Sequence, residues 1–178
     1  MKNILMTLFS LLLTSLCYSH MSPPVQLVGE QEALKALMPP SLKTIAQHVR
    51  LNSAQRAEIY QKTGWKPSEK TIRYYIGTDE QDAVRATVFV VSEYTLHGSI
   101  RVAATCDSDA KLTGAELLEV SEEAYNWVKP LVDQNYMKQA LQGSPAAPSN
   151  AGAMTKYYAE EIAKLVHRVP SLCDLVKR

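Results

Sequence analysis

Four stretches decide the fold: Thr71-Ile-Arg-Tyr-Tyr-Ile76, Val84-Arg-Ala-Thr-Val-Phe-Val-Val91, Ser99-Ile-Arg-Val-Ala-Ala-Thr105 and Lys111-Leu-Thr-Gly-Ala-Glu-Leu-Leu118. In each, β-branched and aromatic residues crowd into a two-residue period, which is the alternation of a strand. The connections Gly77–Asp82, Ser92–Gly98 and Cys106–Ala110 are too short for helical crossovers, so neighbouring strands are expected to run antiparallel. Asp107-Ser-Asp109 is the clearest turn, because an Asp side chain bonds its own backbone two residues on. The pattern predicts a meander of about four strands over 71–119.

On either side the period changes to that of a helix. Ala33, Leu34, Leu37 and Met38 predict a short helix stopped by Pro39 and Pro40. A second helix is predicted over about 53–62, capped by Asn52 or Ser53 and ended by Gly64. After Glu119 two helices follow, about 121–129 and 131–141, separated at Pro130. Gly143-Ser-Pro-Ala-Ala-Pro-Ser-Asn150 is a connector. The last helix, about 154–168, carries the stripe Ala159, Ile162, Ala163, Val166 and Val169 and ends at Pro170. Residues 22–28, with Ser22, Pro23 and Pro24, read as a mobile leader. Helices, then strands, then helices predict an α+β class, a single domain with an antiparallel sheet packed by flanking helices.

The 178 residues suit one domain, and 46% hydrophobic with 21% charged residues excludes collagen-like, disordered and polytopic membrane classes. Residues 1–19 read as a secretory signal: Lys2, an apolar run Ile4–Leu16, then small residues, with cleavage expected after Ser19. That run is short of the roughly 20 residues a membrane span needs, so an uncleaved anchor is the weaker alternative. The expected location is the periplasm or the exterior. Cleavage removes Lys2 and no acid, so 19 basic residues fall to 18 against 18 acidic ones. A neutral chain offers no electrostatic footprint for nucleic acid. Cys106 and Cys173 remain, either bridged, for about 4 kcal/mol of chain-entropy stabilisation, or as a buried strand residue and a tail thiol. There is no Cys-x-x-Cys, no paired-His helix and no Gly-x-Ser-x-Gly, so metal, dithiol and serine-hydrolase chemistry have no motif to stand on.

The stretch His97-Gly-Ser-Ile100, then Val102-Ala-Ala-Thr-Cys-Asp107-Ser-Asp109-Ala-Lys111-Leu-Thr113-Gly114-Ala-Glu116-Leu-Leu118-Glu119, resembles the FMN-binding domain family. Its members include the exported flavin subunits of Rnf and sodium-pumping quinone reductase complexes and the flavin domain of nitrous-oxide regulatory membrane proteins. There an Asp-x-Asp-Gly turn leads into Lys-Val-x-Gly-Val-x-Val-Leu-Glu. Tyr136-Met-Lys-Gln139 resembles the family's aromatic-x-x-Gln stretch, and Ala151-Gly152-Ala153-Met154-Thr155 stands where the family has Ser-Gly-Ala-Thr. The likeness spans about 70 to 169 and, more weakly, from 53. It divides the chain into a signal (1–19), a leader with a short helix (20–52) and an FMN-binding-like domain (53–178).

What the resemblance implies is an FMN phosphate at the start of the last helix, where Gly152, Ala153, Met154 and Thr155 offer close approach and unpaired amides. His97 and Glu119 would reach the ring or ribityl chain, with Tyr125, Trp127 and Tyr136 as candidate walls. Each has a plainer reading: loop histidine, solvated strand-end carboxylate, core aromatic. Covalent members carry FMN on the threonine of Ser-Gly-Ala-Thr. Met154 holds that position here, Thr155 lies about 100° further round the helix, and Pro148 replaces an acid, so the implied FMN is noncovalent or absent. The expected function is an exported FMN-binding electron-transfer module serving membrane or periplasmic redox partners, more an accessory subunit than a stand-alone enzyme. The alternative is a cofactor-free interaction subunit of such a complex. No catalytic residue and no metal ligand is assigned.

Overall fold

A computed structural model describes residues 23–143 and 147–176; the expected signal, 1–19, lies outside them. The strands are β1 (Pro24–Gln26), β2 (Lys43–Arg50), β3 (Thr71–Thr78), β4 (Val84–Thr95), β5 (Gly98–Asp107) and β6 (Leu112–Ser121). The helices are α1 (Glu30–Leu37), α2 (Ser53–Thr63), α3 (Glu122–Asp133), α4 (Tyr136–Ala140) and α5 (Ala153–Val176). All six strands form one open antiparallel sheet in the order β1-β6-β5-β4-β3-β2. The α+β class and the antiparallel meander therefore stand, and the strand number is corrected from about four to six.

The two added strands are the sheet's edges, and their weak signal has a physical cause. Only Ile45 and Val49 of β2 are even partly buried, so the strand has almost no apolar period to display. β1 is three residues long and lies in the stretch read as a mobile leader; it pairs with Gln26 opposite Glu119 and Pro24 opposite Ser121. Within the sheet, β4 is buried on both faces from Ala86 to Val91, which is why its run reads as continuously apolar.

The two faces differ. Phe89, Val91, Ile100, Val102, Ala104, Cys106, Ala115, Leu117 and Val120 point to one, where α2, α3, α4 and α5 close the main core. Val88, Val90, Ala103 and Leu118 point to the other, covered by Ala33 and Leu34 of α1 and by Met38. Helix α2 begins with the capping box Asn52/Gln55 and ends at Gly64, whose φ of 68° is left-handed. Two helix ends move from their predicted places. α3 continues through Pro130 because Ala124, Val128 and Leu131 bury one stripe across it, and left-handed Asn135 makes the break instead. α5 runs through Pro170 to Val176, its stripe extended by buried Leu172 and Cys173. A proline inside a helix costs about 3 kcal/mol, and each buried leucine-sized side chain returns about 2 kcal/mol. Cys106 is a buried free thiol, so the bridge to Cys173 is not formed. No helix among the described residues is long and apolar enough to cross a membrane.

Candidate functional site

The start of α5 is built from a short turn. The Ala151 amide donates to the Pro148 carbonyl at 2.8 Å, and the helical ladder begins with Lys156 N–H to Gly152 O at 3.1 Å. Gly152 and Ala153 are exposed, Met154 packs partly onto the main core, and Thr155 is buried. Among the described residues, a Cβ on Gly152 would meet nothing within 4 Å beyond its chain neighbours, so that side of the turn is open there. A first helical turn carries amides without intrahelical acceptors and the positive end of the dipole.

The second turn of α5 meets the β4–β5 hairpin. Tyr158 is fully buried, its hydroxyl 3.0 Å from Thr95 Oγ1, and the Leu96 amide donates to the Tyr157 hydroxyl at 3.3 Å. Trp127 of α3 stacks on Tyr158 with ring centres 6.1 Å apart, and His97 tilts against Trp127 at 4.9 Å. Burial raises the Tyr158 hydroxyl above its ordinary pKa, although the Thr95 contact opposes this. His97 Nδ1 pairs with Glu123 at 2.7 Å, and the Ser121 hydroxyl donates to the His97 carbonyl. Gly98 makes this approach feasible: its φ is 102°, and a Cβ there would lie 2.4 Å from Ser121. His97 is thus held by α3 beside the aromatic group on α5.

Glu119 goes elsewhere. The β5–β6 register shifts by one residue, with Val102 opposite Leu117 but Arg101 opposite Glu119, so Glu119 turns to the face covered by α1. There Arg101 reaches both Glu119, at 3.6 Å, and Glu30, at 2.7 Å. Arg73 also pairs with Glu30, at 3.1 Å, and the Tyr75 hydroxyl donates to it. Burial alone would raise the Glu30 carboxyl, but the Tyr75 hydroxyl and the two guanidiniums outweigh it and hold it below its ordinary range. Arg101 and Glu119 also line a polar cleft of about 300 Å³ with His48, Glu69, Arg73, Val90 and Ser92.

Of the six residues read from the sequence as cofactor contacts, the structure gathers Gly152, Ala153, Met154 and Thr155 at one helix end, and it packs His97 against a ring. That ring is Trp127 of α3, which in turn stacks on Tyr158 of α5, and Glu119 is not brought to the helix end at all. Among the candidate wall residues, Trp127 is half-buried beside His97, and Tyr125 is half-buried against the main core. Tyr136 is a core residue: its hydroxyl donates to the Ala159 carbonyl at 2.9 Å, and burial pushes its pKa up to about 12. Sequence reading missed Tyr157 and Tyr158, whose spacing merges with the core stripe of α5. It also missed a knot in which Trp65 Nε1 (2.5 Å) and Arg168 Nη1 (3.0 Å) share one Glu93 oxygen.

The residues present fit the phosphate end of FMN better than its ring. Open space beside Gly152 and the amides a first helical turn carries suit a phosphate, and Tyr157 follows one turn along, beside Tyr158, on which Trp127 stacks with His97 behind it. No cluster of three His, Cys, Asp or Glu able to hold a metal occurs among the described residues. Comparison with protein-family models, curated proteins and solved structures found no match.

Proposed function

We propose that the chain is an exported FMN-binding module that holds the flavin noncovalently and passes electrons between membrane or periplasmic redox partners. The observation carrying this reading is the open side of Gly152 at the start of α5, followed one turn later by Tyr157 and by the Tyr158–Trp127–His97 stack. The amides of Ala153, Met154 and Thr155 would bind and orient the phosphate, with no residue at position 154 able to form an ester. His97, held by Glu123, would place an imidazole at the ring's edge and keep water from that side. Bound flavin would supply one- and two-electron redox chemistry, with the polypeptide setting position and electrostatics.

A second reading is a cofactor-free interaction subunit of a redox complex. It is favoured by Trp127 stacking on Tyr158, so that two of the aromatics already satisfy one another, and by Glu119 standing on the far face. The two readings separate on purification through the native export route. Yellow absorbance that leaves the protein on denaturation supports noncovalent FMN. A colourless chain that takes up no added FMN, yet co-purifies with a membrane redox assembly, supports the second.

A further inference from the structure

β2 forms one side of the sheet, and among the described residues nothing pairs with its outer edge. Its ladder with β3 runs for eight consecutive residues without a shift, whereas the β3–β4 and β5–β6 ladders both carry irregularities. Proteins usually blunt such an edge with a bulge, a proline or charged side chains, and β2 carries charge only at its two ends, Lys43 and Arg50. Its middle is undefended: between Lys43 and Arg50 stand Thr44-Ile-Ala-Gln-His-Val49, with no proline, no bulge and no formal charge when His48 is neutral. Both terminal cations are exposed, and neither has an ion-pair partner among the described residues. Asp79, near the Lys43 end, is engaged by Arg85 at 2.6 Å; near the Arg50 end, Glu69 lines the polar cleft with His48 and Arg73.

The geometry points to β-strand addition at this edge: an extended segment of another protein, about six uncharged residues long with an acid at each end, docks along β2. Backbone donors and acceptors of Lys43–Arg50 supply affinity, and half-buried Ile45 and Val49, four residues apart on one face with exposed Gln47 between them, select apolar side chains opposite them. Charge decides the occupant. A second copy pairing antiparallel would set the lysine of each β2 against the arginine of the other, and a parallel copy would align lysine with lysine. Like charges directly opposite are unfavourable. The undescribed residues of this chain, 1–22, 144–146 and 177–178, include no Asp or Glu, so they lack the complementary ends. The site stands apart from the start of α5, and its test is independent of flavin.

The probe is a fluorescein-labelled octapeptide, Glu-Thr-Val-Thr-Val-Thr-Val-Glu, compared by anisotropy with the same peptide ended by lysines. Saturable binding of the acid-ended peptide, at least tenfold tighter than the lysine-ended one and weakened by salt, is expected. The double variant Lys43→Glu/Arg50→Glu, which touches no ion pair, should reverse that preference. Ile45→Lys, which places a charge mid-edge, should weaken both peptides, and bound peptide should slow hydrogen exchange across 43–50. Equal affinity for both peptides, no binding up to millimolar peptide, or self-association of the wild type abolished by Ile45→Lys would each overturn the proposal.

Discussion

The two faces of this sheet are held by different physics. On one, α5 lays Tyr158, Ile162, Leu165, Val166, Val169 and Leu172 against the sheet and other helices, all fully buried, so adhesion is packing of apolar surface. On the other, the single eight-residue helix α1 is latched by one carboxylate, Glu30, which takes Arg73, Arg101 and Tyr75 at once. Both faces bury apolar side chains and should be sensitive to volume, but only the α1 face, whose Ala33, Leu34 and Met38 sit beside the Glu30 latch, should also be sensitive to pH. That contrast also separates the candidate flavin site, on the packed face, from the polar cleft on the latched one.

The largest effect should follow a cavity on the packed face. Ile162→Ala removes a fully buried side chain from the middle of α5, and chemical denaturation should show a loss of about 2–5 kcal/mol. Its size should be unchanged between pH 4 and pH 7.

A smaller loss should follow Glu30→Gln, which leaves two guanidiniums and a phenol around a neutral amide, at about 1–3 kcal/mol. Here the sign with pH is fixed. Glu30 is held below its unfolded value of about 4.3, so its contribution is present above that value and is lost as pH falls through the folded one. Denaturation midpoints for wild type and Glu30→Gln should therefore converge on acidification below about pH 4. A constant gap down to pH 2 would mean the latch works by shape instead of charge.

The smallest effect should come from Thr105→Val, between the sheet and α1. Among the described residues the buried Thr105 hydroxyl has no hydrogen-bond partner, so replacing it by a methyl of similar shape should be neutral or stabilising by up to about 1 kcal/mol. A loss of more than 1 kcal/mol would show that this hydroxyl is satisfied in solution.

How much of this was legible in the sequence follows the same division. The central strands announce themselves because burial on both sides forces β-branched and aromatic residues into them, as in Val88–Val91. The cap and stop of α2 were legible too, since Asn52 and Gly64 act locally. β1 and β2 were silent: an edge strand buries little, and β2 shows only Ile45 and Val49. Pro130 and Pro170 misled because tertiary burial outweighed a local penalty. Glu119 illustrates a deeper difficulty. Strict alternation from Leu117 places it on the α5 face, and the one-residue bulge that turns it to Arg101 leaves no mark in composition. The cluster at the start of α5 was legible as far as contiguous residues carried it, through Gly152–Thr155, with His97 added by the hairpin. Tyr157, at its border, and buried Tyr158 beside it were hidden within an apolar stripe.

The flavin proposal rests on the open end of α5, and a titration of the refolded, colourless chain with FMN and riboflavin, for wild type and Gly152→Glu, tests it most directly. Expected are saturable quenching of flavin fluorescence at one FMN per chain, weaker binding of riboflavin for want of the phosphate, and at least a tenfold loss of FMN affinity in Gly152→Glu with riboflavin little changed. Equal affinity of wild type and Gly152→Glu for FMN, or no saturable uptake by the wild type, would contradict it.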